Sequence, residues 1–282
     1  MTRRSEWTGM PDRAFPIARA NVLGVGIHSL DMDAAVVAIE DSIHSGLKGY
    51  VCVTGVHGVM EAQRDARLAS IFAGARLVVP DGMPTVWVGH WQGLARMRRV
   101  FGPDLMLQLF QRAAVNGLSH FFCGGDYGVA EELRSRMQSR FPTARVLGSF
   151  RPPFRKMNSR EEADLLRITN QLRPDIIWVG LSTPKQEHFM AEYLPRIDTK
   201  LMIGVGAAFD YHTGRIKDSP RWVKHSGLQW MHRLIQDPAR LSKRYLRNNP
   251  LFVALLALQL CGLKKYQLPA SGEHAMPLSP SR

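Results

Sequence analysis

The stretch Asp175-Ile176-Ile177-Trp178-Val179-Gly180-Leu181 runs straight into Ser182-Thr183-Pro184-Lys185-Gln186-Glu187. After its leading acid the first part is apolar at successive positions, as a strand covered on both faces requires. The second part holds two hydroxyls, a proline and an acid, the chemistry of a turn entering a helix. A covered strand handed directly to a helix is the repeating unit of a parallel α/β sheet. The pattern recurs at Tyr50–Thr54, Arg76–Pro80, His120–Cys123, Arg145–Ser149 and Leu201–Val205. Helical periodicity fills the intervals. Met32–His44 carries Ala35, Val36, Ile39 and Ile43 on one stripe, and Ala163–Leu172 carries Leu165, Leu166, Ile168 and Leu172. The predicted fold class is therefore α/β, a Rossmann-like, mostly parallel sheet flanked by helices, with a basic α-helical appendage at the C-terminus.

Composition agrees. The chain has 282 residues, 45% hydrophobic and 22% charged, which excludes wholesale disorder. Three cysteines, Cys52, Cys123 and Cys261, cannot build a disulfide framework and read as buried or interfacial thiols of a reducing compartment. The first twenty residues are polar with two prolines and lack the apolar core of a signal peptide. No stretch reaches the roughly 18–20 apolar residues of a bilayer span. The expected organisation is a flexible segment over 1–20, a catalytic α/β domain over 21–214, a basic helical membrane-associating appendage over 215–267, and a disordered tail over 268–282.

The net charge is +13, from 37 Lys and Arg against 24 Asp and Glu. Such a balance first suggests nucleic acid. Its distribution points elsewhere. Residues 215–265 hold eleven cations and two acids, Asp218 and Asp237, a local net charge of +9. Aromatics and aliphatics (Trp222, Trp230, Met231, Leu234, Ile235) interleave with these cations. Asp237-Pro238 opens a helix bearing Arg240, Lys243, Arg244 and Arg247, which Asn248-Asn249-Pro250 is expected to end. The apolar helix Leu251–Leu263 then follows, closed by Lys264-Lys265. An apolar helix too short to span, flanked by basic clusters, fits an anionic membrane interface. The plain alternative is a helix packed on the domain with a solvated basic face. A basic nucleic-acid-binding protein would give the apolar helix no role, so no nucleic-acid partner is expected.

Ligands of open parallel sheets bind beyond the carboxyl ends of the strands, so the residues there deserve individual reading. Gly124-Gly125 precedes a helix near Val129, either cradling a phosphate on bare amides or making an ordinary tight turn. Asp81 is either a general base at a strand end or an N-cap ahead of Pro84, and spacing alone favours the cap. Gln186-Glu187 contacts a ligand or closes a capping box, and spacing favours the box. Asp31 and Asp33 open a helix, where acids complement the dipole, rather than holding a metal. None of the ten histidines has zinc spacing, His57 alone says little, and no Ser or Cys nucleophile motif is present. A nucleotide-cofactor-dependent α/β enzyme would need G-x-G-x-x-G and a ribose-binding acid, and neither occurs.

Taken in order, several blocks resemble the WecG/TagA/CpsF family of bacterial glycosyltransferases over about residues 21–262. They are Val53-Thr54, Leu77-Val78-Val79-Pro80-Asp81-Gly82-Met83, Arg99-Val100-Phe101-Gly102-Pro103-Asp104-Leu105 and Phe122-Cys123-Gly124-Gly125. Val179 to Glu187, Gly204 to Tyr211, Gly227-Leu228-Gln229-Trp230 and Arg244-Tyr245 follow. The resemblance implies inverting transfer of an N-acetylmannosamine-type sugar from a UDP-sugar to a polyprenyl-pyrophosphate-linked sugar, in cell-envelope polysaccharide biosynthesis. It implies Asp81 as catalytic base and Thr54 and Gln186 at the substrate pocket. It places Arg233, Arg240, Lys243 and Arg244 against lipid diphosphate and membrane, with no metal and no cofactor. The expected location is cytoplasmic, peripheral at the inner face of the cell membrane, with a homo-oligomer left open. Where many members carry Asn two residues after the Thr, this chain reads Gly55-Val56-His57, so His57 is the candidate in its place. Lys217-Asp218-Ser219-Pro220 and Gly227-Leu228-Gln229-Trp230 also depart from the frequent strings Lys-Arg-Ala-Pro and Gly-Leu-Glu-Trp. These changes bear on donor or acceptor identity more than on reaction class.

Overall fold

The computed structural model describes residues 17–269. Most of the expected N-terminal segment and C-terminal tail lies outside them, although Arg19 and Ala20 already belong to a strand. In chain order the elements are β1 (Arg19–Val22), β2 (Val25–His28), α1 (Met32–His44), β3 (Gly49–Thr54), α2 (Val56–Ala62) and α3 (Ala66–Gly74). Then come β4 (Leu77–Pro80), α4 (Met83–Trp91), α5 (Gly102–Asn116), β5 (Ser119–Gly124), α6 (Val129–Arg140), β6 (Arg145–Phe150) and α7 (Ser159–Leu172). The chain closes with β7 (Ile176–Gly180), α8 (Lys185–Tyr193), β8 (Leu201–Gly204), α9 (Ala208–His212), α10 (Arg221–His225), α11 (Gln229–Gln236) and α12 (Pro238–Leu260).

Six strands form one parallel sheet in the order β4-β3-β8-β7-β5-β6. All six predicted strands are found, and α1 has the predicted bounds. Alternation explains why the strands are apolar throughout. Val51, Val53, Leu77, Val79 and Ile203 pack on one face against α1 and α5, through Ile39 and Phe110. Tyr50, Cys52, Val78 and Met202 pack on the other face with Val59, Phe72 and Met190 of α2, α3 and α8. Each face buries its own core, so neither side of a central strand carries polar residues. At the start of α1, Asp31 is the N-cap and accepts the Ala34 amide at 2.9 Å, matching the helix-opening reading.

Two features differ from expectation. The first is the antiparallel hairpin β1–β2, joined by Leu23-Gly24. Both turn residues have positive φ, 50° and 85°, as a tight two-residue hairpin turn requires. Leucine is an unusual occupant of that conformation. Its side chain is buried, its amide donates to Gln259 at 3.0 Å, and the Gly24 amide donates to Asn21 Oδ1 at 2.9 Å. The second difference corrects the expected break at Asn248-Asn249-Pro250. Helix α12 continues through Pro250 as one rod of 23 residues. An internal proline costs about 3 kcal/mol in an isolated helix. Here Phe252 and Leu256 beyond it are buried in the core, and Asn248 before it is pinned by hydrogen bonds. Tertiary packing on both sides of the proline holds the axis together.

Candidate active site

The carboxyl ends of β3, β4, β7 and β8 open into one cavity of about 550 Å³. Thr54, Asp81, Ser182, Thr183, Val205 and Gly206 supply one wall. Helices α10, α11 and α12 supply the facing wall, and α4 closes a third side with Met83, Trp87 and Trp91. The basic C-terminal segment is thus a structural part of this cavity.

Asp81 follows β4 directly, and the N-cap of α4 is Gly82, without a side-chain capping bond. The capping reading favoured by spacing is therefore overturned, and the carboxylate is free of that duty. The Asp81 amide donates to Thr54 O at 2.8 Å, which fixes the loop beside the end of β3. Arg99 clamps the same loop from the other side. Its Nε donates to Asp81 O, its Nη2 lies 3.6 Å from Asp81 Oδ1, and it also donates to Gln229 Oε1 on α11. Gln229 Nε2 in turn donates to the Tyr211 hydroxyl at 3.4 Å. Asp81 Oδ1 is buried without a hydrogen bond among the described residues, although the side chain as a whole is about a third exposed to the cavity. A carboxylate held at its backbone and left open at its side chain can accept a proton from a bound group.

Thr54 is buried and its hydroxyl has no partner among the described residues. Gly58, in the first turn of α2, lies over it so closely that a Cβ there would come within 2.0 Å of Thr54 Oγ1. Gln186 lines the cavity, yet its carboxamide is committed internally. Its Oε1 accepts the Gly206 amide at 2.9 Å and its Nε2 donates to Glu187 Oε1 at 3.0 Å. Glu187 also accepts the Thr183 hydroxyl at 2.9 Å, and burial raises its pKa. Helix α8 is capped by Pro184 with no side-chain capping bond, so the expected capping box is absent. Gln186 and Glu187 instead tie the loops after β7 and β8 to each other.

His57 faces the cavity but is bonded to protein on both ring nitrogens. Nε2 lies 3.3 Å from Thr183 O, and Nδ1 lies 3.1 Å from Asn248 Nδ2 on α12. Asn248 is only 2% exposed, and its Oδ1 accepts from Arg64 Nη2 at 2.9 Å. That bond orients the amide so that Nδ2 donates, which makes His57 Nδ1 the acceptor and Nε2 the protonated nitrogen. Burial, aided by the nearby Arg244, lowers the His57 pKa to about 4, consistent with a neutral ring. The imidazole joins α2, α12 and the loop after β7.

Among the described residues five cations line the cavity, Arg99, Lys224, Arg233, Arg240 and Arg244, against one carboxylate, Asp81. Arg244 is largely buried, and its pKa is lowered by that burial and by Arg233 and Arg240. Thr54, His57, Asp81, Gln186, Arg233, Arg240 and Arg244 are thus brought together as the sequence suggested. Lys243 is exposed and outside the cavity walls. Gly124 and Gly125 are outside them too. Gly124 has φ of 121°, a Cβ on it would approach Gly180 O to 2.5 Å, and the Gly125 amide donates to that carbonyl at 3.0 Å. These glycines serve the close contact between the loops after β5 and β7. Sequence reasoning did not single out Arg99, Tyr211 and Tyr245, and it named Gln229 only as a departure from a family string and Trp230 only as an appendage aromatic; all five line the cavity. Each lay within a motif block without a spacing that marked it.

Residues 20–266 match the model of a family described as "Glycosyl transferase WecG/TagA/CpsF family". A protein of Bacillus spizizenii, an N-acetylglucosaminyldiphosphoundecaprenol N-acetyl-beta-D-mannosaminyltransferase, is 30% identical over 180 residues, covering 64% of this chain and 68% of its own length.

Proposed function

Because the chain belongs to the WecG/TagA/CpsF glycosyltransferase family, and is therefore a glycosyltransferase, we propose that its cavity moves an N-acetylmannosamine-type sugar from a UDP-linked donor to a polyprenyl-diphosphate-linked sugar. The product belongs to cell-surface polysaccharide biosynthesis. The observation that carries this is Asp81, the single carboxylate among the described residues that line a cavity with five cations. Both substrates contain a diphosphate, and guanidinium groups are the side chains best matched to it.

The chemistry is a single displacement. Asp81 takes the proton of the acceptor hydroxyl while that oxygen attacks the anomeric carbon of the donor. The bond from that carbon to the diphosphate oxygen breaks, and the nucleoside diphosphate leaves with the electron pair, inverting the configuration. Arg99 positions Asp81 through its backbone carbonyl, and Arg233, Arg240 and Arg244 offset the negative charge of the diphosphates. Thr54 contributes a hydroxyl without a partner among the described residues. His57 acts by orienting α12 rather than by touching sugar, since both its nitrogens are engaged.

The enzyme works at a membrane surface. Among the described residues no helix is long and apolar enough to cross a bilayer. Trp222, Ile235 and Leu246 are exposed on α10, α11 and α12 among the cations of this segment, which supports peripheral attachment to anionic lipid.

The test is release of UDP from N-acetylhexosamine donors in the presence of a synthetic polyprenyl-diphosphate-linked N-acetylglucosamine. Turnover is expected with the mannosamine donor, and Asp81→Asn is expected to lower kcat by about 10²–10⁴-fold while donor binding persists. No release from any such donor would defeat the proposal, and near-normal turnover by the variant would remove Asp81 as base.

A further inference from the structure

One face of α12 lines the cavity along most of the helix. Arg240 and Arg244 come first, Asn248 one turn later, then Phe252, Val253 and Leu256. Steps of four residues from Arg240 through Arg244, Asn248 and Phe252 to Leu256 form one ridge that winds gradually around the helix, and Val253 borders its apolar end. From Arg240 to Leu256 the ridge is about 24 Å long at the rise of an α-helix. It is cationic at one end and wholly apolar at the other. Helix α4 lines the same cavity with Trp87 and Trp91, four residues apart and on one face. Trp91 is 61% exposed and Val253 is 65% exposed, so neither is consumed by the protein's own core. The cavity therefore has two arms, a cationic one at the strand ends and an apolar one between α4 and α12.

We propose that the arm between α4 and α12 is a subsite for hydrocarbon, binding the first isoprene units of a prenyl diphosphate whose phosphates sit at Arg240 and Arg244. The inference rests on the diphosphate-linked acceptor proposed above and extends it to the chain beyond the phosphates. A soluble phosphorylated ligand would explain the cations but leave Trp91 and Val253 facing water. A bilayer surface would explain exposed apolar residues on the outside of α12, but not apolar residues that line the same cavity as Arg244. An amphiphile with a charged head and an apolar tail matches the order of side chains along one helix face. The consequence is that the protein draws part of the lipid out of its solvent and into its own groove.

The experiment uses the full chain in buffer free of detergent and vesicles. Inorganic pyrophosphate and the dimethylallyl, geranyl and farnesyl diphosphates are titrated against tryptophan fluorescence, with calorimetry as a second readout. A fully buried methylene strengthens binding by about fourfold, and a groove open on one side by less. Farnesyl diphosphate is expected to bind at least tenfold more tightly than pyrophosphate. Trp91→Ala and Val253→Ser, both at exposed positions, are expected to flatten that dependence on chain length. Val115→Ser, at an exposed position on α5 outside the cavity, serves as the control and is expected to leave it intact. Equal affinity for pyrophosphate and farnesyl diphosphate would overturn the subsite. So would an unchanged length dependence in both groove variants, or a gain that appears only when phosphatidylglycerol vesicles are added. Length-dependent binding without sugar transfer to a prenyl-diphosphate acceptor would keep the groove and defeat the reaction. Transfer without length dependence would do the reverse.

Discussion

Replacing Asn248 by alanine tests whether α12 is held to the catalytic body by the bonds described above. The amide makes two hydrogen bonds across the interface, one from the charged Arg64 at 2.9 Å and one to His57 at 3.1 Å. Bonds to a charged group contribute about 1.5–3 kcal/mol and neutral ones about 0.5–1.5 kcal/mol. Arg64 keeps its contact to Glu61 at 3.1 Å and is about a quarter exposed, so water recovers part of the loss on that side. His57 is left with an unpaired acceptor in a largely buried site. The expected cost is about 2–3 kcal/mol, charged to the docking of α12 rather than to the sheet. Amide hydrogen exchange across residues 238–260 reads it directly. At about 1.4 kcal/mol per tenfold, exchange there should accelerate by about 30–150-fold while β3, β7 and β8 stay protected. Because Arg244 lies one turn before Asn248, KM for the lipid acceptor should rise more than kcat falls. Exchange in α12 changed less than threefold would refute the reasoning and leave the helix held by Phe252 and Leu256 alone.

Two other outcomes follow from burial. His28, His57 and His120 have pKa values lowered mainly by burial, to about 4, about 4 and about 3, against an ordinary 6.5. The folded protein therefore keeps them neutral where the unfolded chain takes up protons, so stability is full above about pH 6.5 and falls as pH drops toward 4. Urea midpoints at pH 7, 6 and 5 should decline accordingly, and His57→Gln should make the decline shallower by one proton's worth; an unchanged slope would contradict a neutral, buried His57. Cys52 and Cys123 are fully buried and burial pushes both thiols up, whereas Cys261 is exposed. A disulfide reagent should label one thiol per native chain and three in urea, and rapid labelling of two or more native thiols would be inconsistent with this core.

The parallel sheet was legible because its strands are buried on both faces and carry the signature of that burial in sequence. The site was legible where residue type and strand-end position coincided, as at Thr54 and Asp81. It was not legible where the work is done by loop approach. Gly124-Gly125 has the composition of a phosphate cradle, yet a Cβ on Gly124 would come within 2.5 Å of Gly180 O, and the Gly125 amide is spent on that same carbonyl. The hairpin β1–β2 was hidden because its turn uses Leu23, a residue whose positive φ is supported only by distant contacts such as Gln259. The break expected at Pro250 failed for a related reason. Local propensity sets the cost of a helical proline, but Asn248, Phe252 and Leu256 find their partners on α2 and its surroundings, far away in sequence.

Continuity of α12 through Pro250 has a thermodynamic consequence. The helix that carries Arg240 and Arg244 into the cavity also carries the Asn248 contact and the apolar stripe, so any ligand that joins the strand ends to that stripe stabilises docking by mass action. At a ligand concentration one hundred times Kd the stabilisation is about 2.7 kcal/mol. That is comparable with the deficit of about 2–3 kcal/mol expected for Asn248→Ala. Farnesyl diphosphate at that ratio, measured against the variant's own Kd, should return exchange in α12 to within about fivefold of the unliganded wild type. Inorganic pyrophosphate at the same multiple of its Kd should rescue as well if it bridges Arg244 to the strand ends, because the linkage depends on occupancy rather than chain length. Occupancy without any rescue would mean that the ligand binds equally to docked and undocked α12. The helix would then be no part of the binding site, whatever residues it places at the cavity wall.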